Sequence, residues 1–170
     1  MALLENILLH GLLAAVLLLA YLLPVMRFLS PRIWGFSDYP KEITSRVPAQ
    51  TRQERRTALL ISPPFFILMF VYPLVSTLIL KASYGGSISL VDGFLNAFGV
   101  LMIANLADLL ILDLLIVGTM TPSWVIIPGT EDMKDTAYKA FRKMHAKGHV
   151  YGTVALAVLS LIIAFIALFI

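Results

Sequence analysis

Seven residues near the C-terminal end of one apolar stretch and the start of the next have side chains that could do chemistry. They are Asp108, Asp113, Glu131, Tyr138, His145, Lys147 and His149. The acids can take up a proton or meet a cation, since a carboxylate in apolar surroundings does one or the other. The imidazoles titrate near neutrality, which suits acid–base work. Lysine with histidine would suit an anionic headgroup. Such a set can bind a small ligand or a lipid headgroup, with acid–base chemistry by His145 or Asp113 as an extension. No single catalytic residue is singled out, and whether the chain is an enzyme stays open.

His145 and His149 are spaced i, i+4 and share one face of a helix. That spacing can hold a metal, with Asp113 or Glu131 as third ligand. The ligand set is thin, there is no H-E-x-x-H motif, and no metal is assigned. The identity of any cofactor is left open. With no cysteine in the chain, disulfides, thiolate metal sites and cysteine nucleophiles are excluded. Walker, G-x-S-x-G and selectivity-filter motifs are also absent.

The elements that must position these residues follow from composition. Of the 170 residues, 59% are hydrophobic and 14% charged, and the mean hydropathy is +0.90. Soluble domains run at about 45–50% apolar and about 25% charged, so a soluble enzyme is excluded. Four stretches are long and apolar enough to cross a bilayer: Leu3 to Met26, Ala58 to Leu80, Ile88 to Val117 and Val150 to Ile170. The first is read as a retained span, because Glu5 is its only early charge and Leu23-Pro24-Val25 is no cleavage site. The expected fold is an all-α integral membrane four-helix bundle in a single domain, 1–170, with loops at 27–57 and 118–149.

Lysine and arginine counts orient it. The first loop carries seven, the last five and the middle turn one, Lys81. By the positive-inside rule both long loops face the cytoplasm and both termini lie outside, in a plasma (inner) membrane. Trp34 and Trp124 are expected at the interface. The net charge of +3 fits loops facing anionic lipid, and no nucleic-acid motif accompanies it. Expected partners are membrane lipids, with a homo-oligomer or a membrane partner subunit as options.

The last loop predicts an amphipathic helix. Thr130 is a candidate N-cap, followed by Glu131, Asp132 and Asp135, with Arg142, Lys143 and Lys147 at the far end. This charge order complements the helix dipole. Met133, Ala137, Phe141 and Met144 form its apolar face, and a bend is expected near Gly148.

The third span carries Asp92, Asn96, Asn105, Asp108 and Asp113. At 100° per residue Asp92, Asn96 and Asp113 share a side, and Asn105 and Asp108 point to the other. Ionised groups in a bilayer are costly, so this helix is expected to be packed centrally or against a second copy. Arg27, Arg55, Arg56, Lys147 and His149 are the candidate cations for its deep acids. His10 is expected to bond Asp92 or Asn96. Pro73 is expected to kink the second span. Ala157, Ser160, Ala164 and Ala167 form a small-residue stripe suited to close packing on the fourth.

The stretch from Asp113 through Pro128-Gly129-Thr130-Glu131, Tyr138, His145 and Lys147-Gly148 resembles segments of uncharacterised small multi-pass bacterial membrane proteins. The resemblance covers about the last third of the chain. It implies a multi-pass fold and transfers no catalytic residue. Two other function classes stand beside the ligand site: an accessory subunit or assembly factor of a larger membrane complex, and a homo-oligomeric proton or ion pathway along Asn105, Asp108 and Asp113.

Overall fold

Long apolar runs leave a chain few options, because backbone polar groups away from water must be satisfied within the segment. The computed structural model describes residues 2–170, which form helices and turns with no strand among them. Four helical stretches are long and apolar enough to cross a membrane: Leu3–Phe28, Arg52–Ser83, Leu90–Met120 and Ala137–Phe169. All four begin or end beyond the apolar runs read from the sequence.

The first stretch is α1 (Leu3–Phe28). The loop after it is locally built. Ser30 accepts a hydrogen bond from Arg32 N and Pro31 opens α2 (Pro31–Trp34), followed by a helical turn at Phe36–Asp38 and α3 (Lys41–Thr44). Helix α4 (Arg52–Ile61) starts in a reciprocal capping box between Thr51 and Glu54, the arrangement that satisfies two otherwise orphaned backbone donors. The Glu54 carboxylate also receives Arg32 at 2.6 Å.

Helix α5 (Pro63–Phe66) leads into a π-helical segment, Ile67–Val71, and then α6 (Tyr72–Ser83). Proline has no N–H and its ring crowds the carbonyl four residues back. The wider π turn ahead of Pro73 accommodates that break, so the expected disturbance takes the form of a π segment. Gly85 and Gly86, at φ 79° and 91°, close the turn; left-handed backbone suits glycine there.

Helix α7 (Leu90–Ala107) passes into a 13-residue π-helical segment, Asp108–Met120. Two further helical turns, Ser123–Val125 and Glu131–Met133, precede α8 (Ala137–Phe169). Thr130 does not cap a helix, because its hydroxyl is committed elsewhere. Helix α8 therefore starts at Ala137 and is unbroken through Gly148, where a bend was expected. Phe141 of the expected apolar face is buried, whereas Met144 is exposed.

The chain divides into two compact units. One comprises 1–18, 64–107 and 149–170, and the other 19–63 and 108–148. In the first unit Ala97, Leu101, Leu156 and Ile163 form a buried cluster. Glycines permit close approach here: a Cβ on Gly99 would fall 2.7 Å from Ile7 Cγ2, and one on Gly93 3.2 Å from Ala164 Cβ. The small-residue stripe is used as expected, with Ser160, Ala164 and Ala167 fully buried. In the second unit Met26, Tyr39, Ile43, Leu112, Val117, Val125, Ile127, Tyr138 and Phe141 make the core. Trp34 and Trp124 pack half-buried against that core.

Candidate functional site

The second unit brings Asp113 and His145 together. Asp113 lies in the π-helical segment and His145 two turns into α8. Nδ1 of His145 is 2.7 Å from Oδ2 of Asp113, and the side chains are 19% and 13% exposed respectively. On its other side, His145 Nε2 is 3.0 Å from the main-chain oxygen of Asp38. The imidazole also stacks on Phe141, with centroids 3.7 Å apart and planes 14° from parallel. Helix spacing explains the stack, since Phe141 and His145 are i, i+4 neighbours.

These contacts fix the proton count. A main-chain carbonyl only accepts, so Nε2 carries a hydrogen and donates it. One further proton then lies between Nδ1 and the Asp113 carboxylate. The pair is either imidazolium with carboxylate or neutral imidazole with carboxylic acid, and its net charge is zero in both forms. Such a pair can sit half-buried in an apolar helix without an uncompensated charge. It can also yield or accept that proton when a ligand rearranges it.

Asp113 thus meets His145, which was not among the expected cations Arg27, Arg55, Arg56, Lys147 and His149. Asp38, which sequence reasoning missed, adds a second carboxyl nearby. Loss of hydration pushes that carboxyl above its ordinary value, the Asp113 charge adds to the rise, and the His145 charge opposes it. Asp38 sits in a polar loop with no periodicity, so no sequence signal tied it to residues seventy or more positions away.

Tyr138 belongs to a separate hydroxyl cluster in the same unit. Its oxygen accepts from Ile127 N at 2.7 Å. Thr130 Oγ1 donates to Ile127 O at 2.7 Å, so the Tyr138 hydroxyl donates to Thr130 Oγ1 at 2.8 Å. Tyr39 donates to Val125 O at 2.7 Å, and burial raises its phenol well above the ordinary value. Both tyrosines hold the 122–130 loop. They are spent on structure.

Glu131 is exposed and accepts from Gly129 N at 3.0 Å. Lys147 is exposed, and Asp108 is half-buried at the head of its π segment. His149 belongs to the first unit, where its Nδ1 donates to Asn105 Oδ1 at 2.8 Å.

The first unit holds a polar network the sequence showed only in part. Asn6 Nδ2 donates to Asn96 Oδ1 at 2.7 Å and lies 2.9 Å from Ser76 Oγ. Asn96 Nδ2 donates to Ser76 Oγ and Thr77 Oγ1, each at 3.1 Å. All four residues are fully buried. His10 pairs with the Tyr72 hydroxyl at 3.3 Å and not with Asp92 or Asn96. Asp92 instead exchanges hydrogen bonds with Ser89. Asn6 was legible in principle: it is a lone amide in an apolar span, one helical turn before His10.

No family model matches the chain, and no match was found among curated proteins or solved structures.

Proposed function

We propose that this chain is a multi-pass protein of the plasma membrane. In this reading it is a four-helix bundle with both basic loops cytoplasmic and both termini outside. Its Asp113–His145 pair forms a cytoplasm-facing site for a small ligand or lipid headgroup, with one exchangeable proton for acid–base chemistry. The observation that carries the reading is that pair: a carboxyl in an apolar helix with an imidazole nitrogen 2.7 Å from it. Ionisable residues in such helices are expensive to keep and are functional by default. The basic bias of the two loops supports the orientation.

Native mass spectrometry of the full chain in lipid nanodiscs tests it. A reproducible added mass that Asp113→Asn and His145→Gln both lose, with helicity unchanged, is the expected result. Equal retention by both variants overturns it. A second polypeptide at fixed stoichiometry, with no small-molecule adduct, would move the function to a complex.

A further inference from the structure

The segment that carries Asp113 is the most unusual backbone in the chain. It holds π geometry for 13 residues, Asp108–Met120, whereas π turns mostly occur singly and frequently at functional positions. Its end is strained. Thr121 has φ +41°, a left-handed backbone that is a true outlier for a β-branched residue. Thr121 N donates to Ile116 O at 2.8 Å, five residues back, and its Oγ1 donates to Val117 O at 2.8 Å. Thr119 Oγ1 similarly reaches Leu114 O at 2.6 Å, again five back. Gly118 makes the register possible. A Cβ there would lie 2.9 Å from Asp113 O and would also run into Arg142 Cγ.

We propose that Asp108–Met120 is a two-register switch. In the π register described above, Asp113 is aimed at His145. In the alternative α register the i→i+4 ladder returns, and each residue turns further about the axis. Asp113 then swings off the imidazole and exposes Nδ1. The same change moves surplus chain into the 118–122 turn, where Thr121 can leave the left-handed region. The strain at Thr121 opposes the π register and the Asp113–His145 bond favours it. An occupant that competes for either group tips the balance. The consequence for ligand binding rests on the proposed function, but the register itself does not.

Two substitutions bias it in opposite directions. In the π register Gly118→Ala puts a methyl against both the Asp113 carbonyl and the Arg142 side chain, and alanine favours the α-helix. Thr121→Gly removes the cost of positive φ and favours the π register. The readout is nuclear magnetic resonance of histidine-labelled full chain in nanodiscs, with His145→Gln assigning the His145 signals among the three histidines. Amide exchange across 108–121 is read alongside.

In the wild type the proton shared with Asp113 is expected to give a strongly downfield signal. Gly118→Ala is expected to lose it while the Asn105–His149 signal persists. Thr121→Gly is expected to keep it and to slow exchange in the segment by about fivefold or more, the equivalent of the lower end of such strain. An undiminished downfield signal in folded Gly118→Ala overturns the switch. If Gly118→Ala does not fold, unchanged or faster exchange in Thr121→Gly overturns it. A ligand adduct that is absent from the wild type counts against the proposed function and leaves the register result standing.

Discussion

His145 Nδ1 stands 2.7 Å from Asp113 Oδ2 while its other nitrogen meets only a main-chain carbonyl, so the two residues own one proton between them. That accounting makes the two halves of the pair unequal under mutation. Asparagine at 113 can donate an amide hydrogen to a neutral Nδ1, leaving no charge behind. Alanine at 145 takes the imidazole away from a carboxyl whose side chain is only 13% exposed. His145→Ala should therefore destabilise by about 3–5 kcal/mol and Asp113→Asn by about 1 kcal/mol. Adding Asp113→Asn to His145→Ala should recover part of the loss. Denaturant unfolding in mild detergent measures all three, and equal costs for the single variants would sink the shared-proton account.

The Asn6–Asn96 contact makes a similar asymmetric prediction. Every polar group of Asn96 is used, whereas the Oδ1 of Asn6 has no partner although it is buried. Removing Asn6 discards an orphan acceptor along with its bonds. Asn96→Ala should therefore cost more than Asn6→Ala, by about 1 kcal/mol on the scale of interhelical polar contacts. The reverse order in unfolding experiments would mean that the Asn6 oxygen is satisfied in the native protein.

Length and hydropathy made the four long helices legible, because both are summed over some twenty residues and tolerate local surprises. Direction around a helix was not. The 100° rule fails through Asp108–Met120, where the bonds run i→i+5, so the expected faces of Asp108 and Asp113 did not transfer. Thr130 looked like an N-cap from composition, yet a hydroxyl can bond Ile127 and Tyr138 as readily as a helix terminus. Asp38 and Asn6 join their partners through tertiary placement alone. Of the candidate set, the Asp113–His145 pairing was within reach of the sequence, since it needs only one acid and one imidazole at a similar depth. Its third contact, a main-chain carbonyl, leaves no mark in any side-chain pattern.

The approach of Gly99 to Ile7 tests how tightly the first unit is packed. A methyl on Gly99 would fall 2.7 Å from Ile7 Cγ2 and 3.1 Å from its Cδ1. Gly99→Ala should cost about 1–3 kcal/mol as overpacking. Because the contacts are all with one side chain, Ile7→Ala in the same molecule should absorb the methyl. The double variant should then be less destabilised than the sum of the singles. Strict additivity in a double-mutant cycle would show that the two residues do not touch.

The Asp38 carboxyl supplies a pH test with a definite sign. Desolvation raises it above 3.8, the ordinary value, and the nearby Asp113 charge adds to the rise. Below 3.8 both the folded and unfolded chains hold the proton, and this group contributes no slope. As pH climbs past 3.8 the unfolded chain ionises first, so the folded state binds more protons and stability falls with pH. The loss is complete once pH passes the raised folded value. Asp38→Asn carries no such proton, so its melting temperature relative to the wild type should rise across this window and then level off. Thermal melts in nanodiscs from acidic to neutral pH would show this. A gap that stays flat, or that closes as pH rises, would mean that Asp38 ionises as easily in the fold as in the open chain.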